Sequence, residues 1–226
     1  MTKEPFGNAA VSIREIDAEN ASDLRTISGL HMELLDFGPM AGLGERFVRR
    51  ACYGFHMDDG TLRCALCEVD GRPAGFIAYT DRSITFHREG LRSHWLAAGF
   101  SVMLALLQDP RRVIALIRAS RVVASRRSES AEHSDPLGEV VCMAVRRDYL
   151  QADFVKRTGA RISERLMDYA GEQLRGRGVS RMRALVDADN RSALMLYHSL
   201  GATFESYEQA GEPMVEVWFE LDGAAR

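Results

Sequence analysis

The stretch Asp187-Ala-Asp-Asn-Arg-Ser-Ala-Leu-Met-Leu-Tyr-His-Ser-Leu-Gly201 gathers residue types whose spacing suits chemistry. It follows an alternating run, Arg181 to Val186, and opens a helical pattern at Asn190, whose side chain suits the capping of a first helical turn. Ala193 and Tyr197 are four apart and share one helix face. Alanine leaves room for a ligand to lie against that face, and a phenol of reference pKa near ~10 is a protonated donor at neutral pH. Taken singly, Asn190 also reads as only a cap and Tyr197 as only a core aromatic.

A second candidate is Glu139, which heads the apolar run Glu-Val-Val-Cys-Met-Ala-Val145. A carboxylate among apolar neighbours has its pKa raised toward the range of a general base, and a strand-edge charge is the equally open alternative. Glu68 and His31, or an ordered water chain, are the reserve bases. Cys64-Ala-Leu-Cys67 has the spacing of a zinc or redox pair, but no second such pair exists, and three-residue spacing on a strand sends the thiols to opposite faces. The six histidines show no i,i+4 pairing, so no metal site is expected.

The elements that must position these groups follow from periodicity. Val11 to Ile16 alternates as a strand, and Asn20 to Ser22 cap a helix with an inward stripe of Leu24, Ile27, His31 and Leu34, stopped at Gly38-Pro39. Leu43, Phe47, Ala51 and Phe55 recur every four residues and predict a second helix. Asp59-Gly60 and Asp70-Gly71 bracket a hairpin of Leu62 to Val69 and Pro73 to Thr80. In residues 82 to 135, Leu91, Trp95, Val102 and Leu106, then Val113, Leu116 and Ile117, suggest two or three helices split at Asp109-Pro110, with a loose polar stretch from Ser125 to Pro136. Glu139 to Val145 reads as a central strand covered on both faces. A helix from Ile162 to Leu174, the strand Arg181 to Val186, a helix Asn190 to Leu200, and strands Thr203 to Tyr207 and Met214 to Leu221 complete a β-α-α-β-β, insertion, β-α-β-α-β-β order. That is an α/β layout with one mixed sheet.

At 226 residues, 46% hydrophobic and 27% charged, the chain is expected to form a single domain, residues 1–226, with 82–135 as an insertion. A net charge of −3 gives no pull toward nucleic acid. The charge is uneven, because Arg82 to Arg127 holds nine Arg against Glu89 and Asp109, a local +7. That segment reads as extra core, as a lid over the acceptor pocket, or as an interfacial helix pair on anionic lipid through 82–127; its apolar runs also suit a homodimer contact. Four cysteines in apolar surroundings are typical of reduced thiols and fit a cytoplasmic protein. Met1 to Ala10 lacks the apolar run of a secretion signal, and the longest uncharged apolar stretch, Trp95 to Leu107, is short of the ~20 residues that span a bilayer.

The pattern Asn190-x-x-Ala193-x-x-Leu196-Tyr197-x-x-x-Gly201, with this element order, resembles the GCN5-related N-acetyltransferases, the GNAT superfamily, over nearly the whole chain outside 82–135. The resemblance implies the GNAT acyl-CoA N-acyltransferase fold, with the helical insertion between strands 3 and 4. It further implies acetyl-CoA as co-substrate, its pantetheine arm between two splayed strands and its pyrophosphate on a helix N-terminus. The family's Gln/Arg-x-x-Gly-x-Gly/Ala signature maps onto Thr158, Gly159, Ala160, Arg161, Ile162 and Ser163, or alternatively onto Lys156 to Arg161, in a loop about eight residues longer than the common form. Arg157 and Arg161, with Lys156, then suit phosphate contacts. The implied activity is acetyl transfer to a primary amine of a small molecule by direct attack. Tyr197 takes the acid position, Glu139 the base position, and Met143, Ala144 and Val145 the strand that supplies a backbone donor to the oxyanion. A protein or peptide amine as acceptor, and a catalytically silent acyl-CoA-binding module, are the alternatives.

Overall fold

The computed structural model describes residues 9–36, 38, 40–83, 94–126, 137–209 and 211–221. Leu91, Pro39 and nearly all of Ser125–Pro136 lie outside them. Among the described residues, seven strands form one sheet in the order β1-β2-β3-β4-β5-β7-β6. They are β1 (Val11–Glu15), β2 (Arg63–Val69), β3 (Arg72–Thr80), β4 (Leu137–Val145), β5 (Arg181–Asp187), β6 (Thr203–Gln209) and β7 (Glu212–Glu220). All neighbours are antiparallel except β4 and β5.

Asp70 and Gly71 both take positive φ, 51° and 72°, in the turn between β2 and β3. Two left-handed residues give the twist that a two-residue hairpin needs, as the Asp-Gly pair predicts. The period-two pattern then separates Cys64 and Cys67. They are buried in two different apolar layers on the two faces of the sheet, and the described cysteines are all free thiols.

On one face pack α1 (Ala21–Leu34) and a second helical segment. Asn20 caps α1 by accepting from the backbone N–H groups of Ser22 and Asp23. The second segment differs from the predicted regular helix. It runs as α2 (Glu45–Phe47), a π-helical stretch Val48–Gly54, and α3 (Phe55–Asp58). Wider winding brings residues five apart onto one side, so Leu43, Val48 and Tyr53 are buried while Phe47 and Ala51 are only half-buried.

The opposite face is covered by α7 (Ile162–Arg175), where Ile162, Leu166, Met167, Ala170 and Leu174 form an inward stripe at helical spacing. Between β3 and β4 the described residues form α4 (Trp95–Gln108), one turn at Pro110–Arg112 capped by Asp109, and α5 (Val113–Arg126). The residues that lengthen the loop after β4 form a further short helix, α6 (Ala152–Thr158), which the sequence reading did not foresee. Its Phe154 is sunk into the core beside Tyr149. The last helix, α8 (Arg191–Ser199), contributes to the same apolar layer as α7.

Candidate active site: a cleft between two diverging strands

β4 and β5 are parallel partners only from Leu137/Arg181 to Val140/Ala184. Beyond that both continue, β4 to Val145 and β5 to Asp187, without pairing to each other. β5 is held on its other edge by β7 along its whole length, and β4 by β3 as far as Val145. The sheet therefore opens like a V, and a cleft of about 1270 Å³ occupies the opening. One wall is Val140 to Met143, the other Ala184 to Asp187, and Asn190, Ala193 and Tyr197 of α8 reach it from one face of the sheet.

Backbone polarity along the open edge follows from the β3 side. The N–H of Arg146 donates to the carbonyl of Ala74, and the Ala144 carbonyl is directed at Gly75. Ala144 thus turns its polar groups toward β3. By strand alternation, Met143 and Val145 turn theirs into the opening. Two backbone N–H donors on a strand edge that lacks a partner strand are available to a negative oxygen.

Tyr197 is 5% exposed, lies edge-on to Phe219 and lines the cleft. Burial, with the Cys142 thiol adding, pushes its pKa up to about 12, so the phenol is a hydrogen-bond donor throughout the neutral range. The start of α8 is fixed by Asn190, whose Oδ1 accepts from the Ala193 N–H at 3.2 Å. Asn190→Ala is expected to lower stability by about 1 kcal/mol, read by thermal denaturation.

On the opposite wall Cys142 belongs to a buried polar chain. Tyr53 Oη stands 3.4 Å from Cys142 Sγ and 2.7 Å from His31 Nδ1. Burial pushes the Cys142 thiol up to about 11, so it is not a thiolate nucleophile at neutral pH. Burial lowers His31 to about 4, and His56 likewise to about 4 with His94 adding to the effect and Asp59 opposing it. Unfolding restores both to the ordinary imidazole value of about 6.5. Because the unfolded chain then takes up protons that the folded one refuses, stability is complete above pH ~6.5 and falls as pH drops toward ~4, by on the order of 3 kcal/mol per histidine. A Tm series between those pH values, repeated with His31→Gln, should show a shallower slope in the variant.

Glu139 does not reach the cleft wall. It is 0% exposed and accepts from Ser83 Oγ at 2.5 Å and from Arg183 Nε at 3.2 Å. Arg183 in turn donates to Glu216 at 2.7 Å. The strand alternation that aligned Glu139 with Val145 is broken by a bulge, since Ala78 faces Cys142 and Tyr79 faces Val140, which leaves Val141 as an extra residue. Glu139 is thereby held in an ion cluster at the zipped end of the V. Glu68 is half-buried on β2, near Arg14.

The phosphate-loop candidates are spread more thinly. α7 opens at Ile162, with Arg161 at the N-cap and no side-chain cap, unlike α1 and α8. Its first-turn N–H groups, those of Ile162 and Ser163 among them, are thus left to an anion, which fits a pyrophosphate. Gly159 ends α6 at φ 66°. Thr158 is engaged locally, donating to the Phe154 carbonyl and accepting from the Ala160 N–H, and Ala160 is buried. Arg161 pairs with Glu164 at 2.9 Å, and Arg157 donates to the Asp153 carbonyl. The cleft residues that escaped the sequence reading include Cys142 as a wall, Asp187 at the strand end, and Gln209 at the end of β6. Gln209 carries no local pattern that could have revealed it.

No family model and no curated protein matches the sequence. Solved structures do match in fold. The PaiA N-acetyltransferase from Thermoplasma acidophilum, in complex with coenzyme A, is 12% identical over 93% of this chain and 99% of its own, with a TM-score of 0.53. The ribosomal-protein-S18-alanine N-acetyltransferase from Escherichia coli is 13% identical over 96% and 97%, with a TM-score of 0.52. Aminoglycoside 6'-acetyltransferase type Ii is 12% identical over 94% and 99%, with a TM-score of 0.55.

Proposed function

We propose that this chain, which has the GNAT fold, is an acyl-CoA-dependent N-acyltransferase that moves acetyl from acetyl-CoA to a primary amine of a small molecule. The observation that carries the reading is the parting of β4 and β5 beyond Val140/Ala184, with the Tyr197 phenol on the opening.

The opening passes through the sheet. On one face it is bordered by α8; on the other it reaches Leu35, Asp36 and Gly42. Donor and acceptor can then approach from opposite faces and meet between the strands, which suits direct attack in a ternary complex. The amine nitrogen forms a bond to the thioester carbonyl carbon, the C–S bond breaks with its electron pair leaving on sulfur, and the nitrogen gives up its proton to solvent water at the mouth of the cleft. The N–H groups of Met143 and Val145 stabilise the carbonyl oxygen as it gains charge. Tyr197 donates a hydrogen bond to the departing sulfur. With a pKa of about 12 it is a weaker acid than an alkyl thiol at ~8.5, so it stabilises the thiolate more than it fully protonates it. The apolar walls exclude water from the thioester and strengthen both interactions.

Calorimetric titration with acetyl-CoA tests the reading. Saturable binding between micromolar and sub-millimolar concentration, with thiol release on addition of an amine, is the expected result. An absence of heat at millimolar acetyl-CoA removes the reading.

A further inference from the structure

We propose that the amine acceptor carries an anionic group, a carboxylate or a phosphate, received by Arg118 and Arg121 of α5 together with the side-chain amide of Gln209. The inference rests on the transferase reading above and specifies its acceptor. α5 roofs the cleft on the side of Gly42, where a Cβ would stand 2.8 Å from Ala115 Cβ; only a glycine lets the helix approach so closely. α5 also packs against β6. Ile114, Ala115, Arg118 and Arg121 all line the cleft, and their spacing of three and four puts them on one side of the helix.

Arg118 and Arg121 are exposed and, among the described residues, form no ion pair or hydrogen bond. Gln209 lines the same cleft, is only 7% exposed, and its Nε2 has no acceptor among the described residues. A buried donor left unmet costs about 1–3 kcal/mol, so a native site that keeps one calls for an acceptor from outside the chain. Two guanidinium groups and an amide N–H offer donors alone, the complement of an oxyanion. Two carboxylates on the cleft, Asp109 and Asp187, already accept from backbone N–H groups of Arg111 and Asp189. Asp36 and Glu212 also line it. A cleft of both signs suits a zwitterionic amine better than a polycation, whose charges the arginines would repel.

The test is a set of matched acceptors with acetyl-CoA, followed by thiol release: propylamine against β-alanine, ethanolamine against phosphoethanolamine, and spermidine. The expected kcat/KM favours the anionic member of a pair by about tenfold or more, and whether β-alanine or phosphoethanolamine gains more identifies the group. In the double variant Arg118→Ala/Arg121→Ala the preference collapses to near one, and in Gln209→Leu it falls several-fold. Both variants keep the wild-type Kd for acetyl-CoA. Equal kcat/KM within the pairs, a spermidine preference, or a preference that survives the double variant overturns the proposal. So does a double variant that binds acetyl-CoA much more weakly, because the arginines would then serve the phosphates of CoA. If no amine is acetylated, thermal shift with phosphoethanolamine separates the two ideas. Stabilisation of the wild type, absent in the double variant, keeps the anion site and removes only the transferase reading; no stabilisation removes the anion site as well.

Discussion

Tyr197→Phe is expected to lower kcat by about 10²-fold while leaving the Kd for acetyl-CoA and the Tm unchanged. The phenol ring is packed against Phe219, and phenylalanine preserves that contact. The hydroxyl makes no hydrogen bond to another described residue, so its loss orphans nothing in the fold. What disappears is a donor beside the departing sulfur, an interaction that strengthens as the C–S bond breaks. Such a group appears in kcat and in kcat/KM alike. A variant with wild-type turnover would remove the role, and one with a depressed Tm would show that the hydroxyl serves the fold rather than the departing sulfur.

Glu139→Ala is expected to cost about 3–5 kcal/mol of stability, a fall in Tm on the order of 10 °C for a chain of this size. Removal of the carboxylate leaves Arg183 buried between β4 and β5 with Glu216 as its remaining carboxylate in the cluster and strips Ser83 of its acceptor. Glu139→Gln, which retains shape and one acceptor, should lose less. The discriminating readout is the pH–rate profile of Glu139→Gln. If the residue holds the zipped end of the V, the profile keeps its wild-type alkaline limb; a displaced limb would return Glu139 to the role of base.

Much of the architecture was legible because period and punctuation suffice for it. Asn20, Asp70-Gly71 and Asn190 each carry a local rule about caps or turns, and each sits where that rule puts it. Cys64 and Cys67 fall on opposite faces for the same reason of simple alternation. The errors have causes that no window of sequence contains. A regular period of four in Leu43, Phe47, Ala51 and Phe55 met a π-helical segment, whose wider turn changes which residues face inward. A bulge opposite Ala78 and Tyr79 took Glu139 out of phase with Val145. In each case one extra residue enters the hydrogen-bond ladder: in the strand it reverses the facing of the residues beyond it, and in the helix it shifts the buried stripe.

The order of the strands, the capped helix that bears Tyr197, and the basic character of residues 82–127 were determined by the sequence alone, since each depends on residues close together in the chain. Only the tertiary structure decided where β4 leaves β5, that Glu139 serves an ion cluster, and that Arg118, Arg121 and Gln209 share one cleft. Those facts belong to strands and helices far apart in the chain. A sheet opens where one edge keeps its partner and the other loses it, and that balance is struck between strands that local propensity cannot relate.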